Sequence, residues 1–198
     1  MNREMANLTS HCVGPDRPPS LLAKRLPLLH EFQRRMLMTA TSRQGPQPWI
    51  IPGARCAGKT ALLDRFELCA LDAEWAVVKT EAIEFFAQCV TGLKHPEDDL
   101  ADALITLGEE ARASDRGALI AIDDLDEASL SDLQILNVAL HTIGQEVSPV
   151  PVFFVGAGSP ALPSTLAEAT NYAERLYDFR RLGTLASEGP KSHASARM

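Results

Sequence analysis

Positive charge is in short supply in this chain. Nineteen Lys and Arg stand against 26 Asp and Glu, a formal net charge of −7 over 198 residues. A surface of that sign does not bind nucleic acid indiscriminately, although one local basic patch is compatible with it. Long apolar runs are missing as well: none approaches the roughly 18 residues of a membrane span. Residues 1–20 lack the apolar centre of a secretory signal. The 4 cysteines, Cys12, Cys56, Cys69 and Cys89, make no C-x-x-C pair and no metal-ligand spacing. That excludes a zinc module and fits reduced thiols in a cytoplasm. No internal repeat is visible, and no N-K-x-D stretch is present to read a guanine base.

What remains is ordinary globular material, 45% hydrophobic and 23% charged, with enough chain for one domain and a real core. One stretch stands out: Gly53-Ala54-Arg55-Cys56-Ala57-Gly58-Lys59-Thr60. It reads G-x-x-x-x-G-K-T, the Walker A phosphate-binding loop. Chance produces such a match on the order of once in 150 chains of this length. Context strengthens it, because Pro48-Trp49-Ile50-Ile51-Pro52 before it is a short apolar run. After it, Leu63, Phe66 and Ala70 repeat at the spacing of one helical face. Such a loop turns backbone N–H groups, here from Gly53 through Ala61, toward the oxygens of a nucleoside triphosphate. Lys59 is expected on the β- and γ-phosphates, and the Thr60 hydroxyl on Mg²⁺.

Around this loop the chain alternates strand and helix. Residues 1–20 read as a mobile arm rich in proline, and residues 187–198 as a polar, disordered tail. Between them, residues 21–186 read as the core domain. Leu22, Leu26, Leu29, Phe32 and Met36 mark an amphipathic helix with Pro27 near its start, and Arg34 and Arg35 on its solvated side. Strands are expected over 48–52, 74–79, 118–123 and 149–155, with a short fifth at 181–185. Helices are expected over 81–93, with Ile83, Phe86, Val90 and Leu93 inward, and over 98–114. Two more carry capping signals, Ser131 with Gln134 and Thr165 with Glu168; Leu166, Tyr172, Ala173 and Leu176 lie on the last. The run 118–122 is apolar without alternation, as in a strand covered on both faces of a parallel sheet. The pattern predicts an α/β fold with a parallel sheet and right-handed crossovers. Ligands on such sheets sit beyond the carboxyl ends of the strands, where the segments 53–60, 123–124 and 156–159 should converge.

Asp123 and Asp124 close the third strand as a Walker B pair. Asp123 is expected to share Mg²⁺ with Thr60, since magnesium takes oxygen ligands and only one or two carboxylates. Asp124 stands where a glutamate usually polarises the attacking water. Aspartate is one methylene shorter, and a base misplaced by ~1 Å can cost ~100-fold. The plain alternative is a capping carboxylate, because Asp126 and Glu127 crowd the same turn. Arg175 could reach a γ-phosphate in a neighbouring subunit; the alternative is an arginine paired with Glu174 or Asp178. Ser159 could hydrogen-bond the γ-phosphate; the plain alternative is a small loop serine. Cys56, inside the loop, would be a thiolate if the N–H groups and Lys59 act on it; the plain alternative is a tolerated small residue.

These residues resemble the AAA+ ATPases, specifically the origin-recognition-like bacterial ATP-binding proteins. The similarity covers roughly residues 18–185. Beyond the generic Walker motifs, it is carried by Pro18-Pro19-Ser20-Leu21-Leu22-Ala23, Phe154 to Pro163 and Tyr172 to Phe179. The resemblance implies a P-loop NTPase sandwich with a five-stranded sheet of order 5-1-4-3-2 and ATP as ligand. It places Leu22 to Arg25 beside the adenine and Arg175 near the arginine-finger position. The sequence departs from the family at three points. Lys24-Arg25-Leu26 replaces the usual Gly-Arg-Glu, Asp124 replaces the Walker B glutamate, and the sequence ends near the fifth strand, before a helical lid or winged-helix domain. Direct nucleic-acid binding is therefore not expected, nor is a membrane partner; a homo-oligomer or a protein partner is.

The expected function is Mg-dependent ATP hydrolysis, weak or conditional, with Asp124, Lys59 and Arg175 in the catalytic roles. The competing expectation is a nucleotide-gated binding module without appreciable turnover. A small-molecule P-loop kinase ranks lower, because no acceptor site or basic phosphate lid is visible.

Overall fold

The computed structural model describes residues 25–89, 96–146 and 148–182. The arm and tail expected at the termini lie outside the described residues, as do Cys12, Leu22, Val90 and Leu93. Helix α1 (Leu26–Ser42) opens on Pro27 and turns Leu29, Phe32, Met36 and Thr39 inward. It stops where Arg43 adopts the left-handed conformation, φ 58°, and its N–H closes onto the Thr39 carbonyl. Arg34 is solvated, but Arg35 is half-buried 3.9 Å from both Glu31 and Asp178.

Five strands follow: β1 (Trp49–Pro52), β2 (Ala76–Glu81), β3 (Ala118–Asp123), β4 (Val152–Gly158) and β5 (Asp178–Phe179). All neighbours pair in parallel, in the order β2-β3-β4-β1-β5. That is the expected order read from the opposite edge. The connecting helices are α2 (Lys59–Asp72), α3 (Ala82–Cys89), α4 (Pro96–Ala113), α5 (Leu130–Gln145), α6 (Leu162–Ala169) and the single turn α7 (Ala173–Leu176). A 3₁₀ turn (Leu125–Glu127) joins β3 to α5.

Alternation along the strands divides the core between two faces. Trp49, Ile51, Leu119, Ala121, Phe153 and Val155 point toward α1 and α2, where they meet Phe32, Leu63 and Phe66. Phe32 stacks on Phe66 with centroids 4.0 Å apart, and Trp49 stands edge-on to Phe153 at 5.1 Å. Ile50, Ile120, Ile122 and Phe154 point the other way, toward Phe85, Phe86, Leu104, Leu136 and Leu166. Both faces of β3 and β4 are fully covered, as the unalternating apolar run at 118–122 predicts.

Several boundaries differ from the sequence expectation, each for a local reason. Strand β2 begins at Ala76, because Glu74 (φ 58°) and Trp75 are used to close α2: their N–H groups return to Leu71 and Ala70. Strand β4 starts at Val152 and takes in Gly156-Ala157-Gly158, which the sequence suggested as loop. Gly156 lies where a Cβ would come 2.6 Å from Leu125, so only a bare backbone fits there. Ile83 is 61% exposed, while Ala82, Phe85 and Phe86 face inward. The capping box of α5 is Ser129 with Asp132, not Ser131 with Gln134. Pro163 starts α6 earlier than expected, so Thr165 lies inside the helix and caps nothing. Thr170 then breaks the expected long helix into α6 and α7; its hydroxyl accepts from buried Asn137 at 2.9 Å. Strand β5 lies at 178–179 rather than 181–185, although Leu182 still donates to Pro52 and extends the ladder.

Candidate functional site

The phosphate-loop segment begins as the last rung of the sheet. Gly53 donates its N–H to the Gly158 carbonyl at 3.1 Å, one step beyond the Pro52–Gly158 register pair. The chain then turns, with Ala57 N–H closing onto Ala54 at 3.1 Å. Cys56 (φ 61°) and Gly58 (φ 83°) adopt left-handed backbone before α2 starts at Lys59. At Gly58 the backbone angle selects glycine, and a Cβ there would meet nothing within 4 Å. Ala54, Arg55, Cys56 and Thr60 are exposed, Ala61 half-buried, and Ala57 buried. The first N–H groups of α2 have no intrahelical partner and form the positive end of its dipole. The Lys59 ammonium folds back over the loop and donates to the carbonyls of Gly53 at 3.1 Å and Ala54 at 3.4 Å.

Two strand ends lie beside this loop. Asp123 closes β3, 7% exposed, and its Oδ1 accepts the Asp124 N–H at 3.0 Å. Among the described residues its second oxygen has no hydrogen bond. By register, Asp123 sits one step beyond the Ile122–Gly156 pair, at the level of Ala157 and Ile51. Two strand spacings, about 10 Å, separate it laterally from β1. Asp124 is exposed, with left-handed backbone at φ 46°. At the end of β4, the Ser159 N–H donates to Asp126 Oδ1 at 2.8 Å.

Arg175 lies elsewhere. It sits in α7, which leads into the amino end of β5, so it occupies the sheet edge opposite the loop. It is exposed, and its carbonyl accepts from Gln47 at 3.1 Å. No ion pair to Glu174 or Asp178 forms; Asp178 pairs instead with Arg180 and Arg35. The side chain borders a cleft of about 390 Å³ with Gln47, His141 and Tyr172.

Arg25 is a loop contact that sequence reasoning tied only to adenine. Its guanidinium donates to the Ala57 carbonyl at 2.9 Å, and burial lowers its pKa. With Leu28, Glu31, Arg180 and Leu182 it borders a recess of about 390 Å³ beside the loop. Glu31 accepts two hydrogen bonds from Arg180, at 3.1 and 2.7 Å, which fastens α1 to the β5 edge. No local sequence signal announces either contact, since the partners are 32 and 149 residues apart.

No family model matches the sequence, and no curated protein matches it. Solved structures do. The Aeropyrum pernix ORC2 protein, in its ADPNP-ADP complexes, superposes with a TM-score of 0.59 at 15% identity, over 88% of this chain and 50% of that one. The ADP form of the same protein gives 0.55 at 15% identity, over 89% and 51%. Cdc6p from Pyrobaculum aerophilum gives 0.52 at 18% identity, over 89% and 48%. The chain shares the fold of these solved proteins over most of its described length. It spans about half the length of the solved chains it matches. Among the described residues, no helix is long and apolar enough to cross a membrane.

Proposed function

We propose that this domain binds Mg·ATP at the carboxyl edge of its sheet and hydrolyses it slowly or conditionally. The observation that carries the reading is the bend from β1 into α2: exposed loop residues, a glycine at φ 83°, and a lysine folded back onto the loop carbonyls. Between Gly53 and Ala61, the N–H groups of Gly53 and Ala57 are already used within the fold; the others in that span, with the amino end of α2, cradle the phosphates. Lys59 exchanges its two carbonyl partners for β- and γ-phosphate oxygens, which are stronger acceptors for an ammonium. The recess beside Arg25 and Leu182 receives the adenosine.

Thr60 and Asp123 would hold Mg²⁺. The fit rests on the oxygen-only donor set and on the Asp123 oxygen that carries no protein hydrogen bond. Among the described residues no group of three or more His, Cys, Asp or Glu side chains gathers to hold a metal. An ion here would therefore draw on phosphate oxygens and water, which is magnesium's habit. Bound Mg²⁺ supplies charge neutralisation on the transferring phosphoryl group. Asp124 polarises the attacking water, Ser159 hydrogen-bonds the γ-phosphate, and Arg175 acts on the nucleotide of a second copy.

A second reading is favoured by Asp124. Its left-handed backbone and short side chain suit a domain that holds ATP and exchanges partners without turnover. ATP and GTP binding, with and without Mg²⁺, should be measured beside phosphate release for the native chain and Lys59→Ala. Release above background that Lys59→Ala abolishes selects the ATPase. Tight ATP binding without release selects the gated module. Absence of nucleotide binding by the native chain removes both.

A further inference from the structure

We propose that Asp126 is a positioning residue that locks the end of β4 to the Walker B turn, so that the site tells a triphosphate from a diphosphate. The inference rests on the nucleotide-binding reading above and assigns a role to a carboxylate that neither Walker motif contains.

The 3₁₀ turn after Asp124 is pinned to β4 at two points. Leu125, fully buried, lies over Gly156, and the Asp126 carboxylate lies over Gly158 and Ser159. A Cβ on Gly158 would meet Asp126 Oδ1 at 2.4 Å and Leu162 Cδ2 at 2.8 Å. The strand end therefore has to be bare for this carboxylate to reach it. Once there, Oδ1 accepts the Ser159 N–H at 2.8 Å, a hydrogen bond to an ionised acceptor. The carbonyl of Gly158, one residue earlier, accepts the N–H of Gly53 at 3.1 Å. Asp126, Gly158 and Gly53 thus join three connections, those leaving β3, β4 and β1, through consecutive contacts.

This geometry has a consequence for ligand discrimination. The α- and β-phosphates are held by the loop and α2 alone, and do not need the β4 end. A γ-phosphate would project past the loop toward the ends of β3 and β4, where Ser159 would meet it with its hydroxyl. Asp126 does not touch nucleotide; it fixes the backbone from which that hydroxyl is presented. Without it the Ser159 N–H loses its partner and Ser159 is free to turn, while the backbone bond from Gly53 to the Gly158 carbonyl stays in place.

The test measures affinity for ADP and for the imidodiphosphate analogue of ATP, both with Mg²⁺, on the full chain. The variants are Asp126→Ala, Asp126→Asn, Ser159→Ala and the Asp126→Ala/Ser159→Ala pair, each with a melting curve. Asp126→Ala is expected to cut the triphosphate-over-diphosphate preference roughly tenfold or more, the scale of one hydrogen bond to a charged group. ADP affinity should stay within about twofold, because the loop is untouched. Asp126→Asn should keep the preference, since its amide oxygen still accepts the Ser159 N–H. Ser159→Ala should reproduce the loss, and the double variant should add little to either single change. The proposal is overturned by an equal weakening for both nucleotides, by no change at all, by Asn behaving as Ala, or by additive single losses. A native chain that binds ADP and the analogue equally also overturns it while leaving the nucleotide-binding reading intact. A native chain that binds neither overturns both.

Discussion

The two edges of the sheet are built for different kinds of contact. At the carboxyl edge, β1, β3 and β4 end within about one register step of each other, at Pro52, Asp123 and Gly158. Their connections are tied together by backbone hydrogen bonds, and glycines stand where they meet. At the amino edge, Gly45-Pro46-Gln47-Pro48 leads into β1 beside α5 and α7, and the exposed guanidinium of Arg175 borders an open cleft. The first edge is where the proposed nucleotide site lies, within a single chain. The second carries Arg175, which has no access to the loop of its own molecule. The proposed nucleotide site and Arg175 are thus separated by the length of the strands.

Lys59→Ala should produce the largest effect on the carboxyl edge. The ammonium folds back onto the carbonyls of its own loop, and it is expected to make charge-assisted bonds to two phosphates. At about 1.5–3 kcal/mol for a hydrogen bond to a charged group, affinity for ATP should fall about a hundredfold. The melting temperature without nucleotide should hardly move, because Lys59 contacts only two carbonyls of its own loop. Titration calorimetry and a melting curve on the same sample separate the two. A large loss of stability with unchanged affinity would show that the lysine serves the fold.

Gly45→Ala should show the reverse behaviour at the amino edge. A Cβ on Gly45 would lie 2.2 Å from the Val152 carbonyl oxygen, and the Gly45 N–H bonds the Val150 carbonyl at 2.9 Å. Backbone must move to relieve that clash, at a cost of about 2–3 kcal/mol. Melting should drop by about 5–10 °C for a chain of this size. Nucleotide affinity of the folded protein should be unchanged. Loss of affinity out of proportion to the unfolded fraction would mean that the edges communicate.

Asp123→Asn isolates the metal. Asparagine keeps an oxygen to accept the Asp124 N–H, so the strand end survives, but the charge is gone. The enhancement of ATP affinity by Mg²⁺ should shrink about tenfold, with affinity in EDTA unaffected; one charged contact is of that order. Equal Mg²⁺ enhancement in both proteins would remove Asp123 from the ion's surroundings.

The same contrast explains how far the sequence could be read. The carboxyl edge is written in local patterns: an eight-residue loop motif and an apolar strand ending in two aspartates. Strand β3 and the buried face of α2 follow from apolar spacing alone. The amino edge depends on contacts between distant residues. The break between α6 and α7 comes from Asn137, buried beneath Thr170, which also accepts from the Tyr177 hydroxyl at 2.6 Å. No periodicity across 162–176 contains that information. Arg25 on Ala57 and Asp126 on Ser159 were invisible for the same reason. The strand order came through the family resemblance, since hydrophobic patterning says which segments are strands but not which are neighbours.

Arg175→Ala carries the smallest expected effect, and the most conditional. In dilute solution ATP affinity should not change, because the guanidinium sits at the opposite edge from the loop of its own chain. Nor should stability, since Arg175 is exposed and forms no ion pair among the described residues. If a second copy presents its carboxyl edge to this one, phosphate release per chain should rise with protein concentration, and the variant should flatten that rise. An arginine acting in trans on a phosphoryl group is worth about 10³–10⁵ in rate where it is fully engaged. Mixing sharpens the result: at ATP concentrations too low to fill its weakened loop, Lys59→Ala retains only Arg175, and Arg175→Ala is the converse. The two together should recover activity that neither has alone, because an intact loop then meets an intact arginine across one interface. Activity in the native chain that is independent of concentration, with no recovery on mixing, would leave Arg175 as a surface residue.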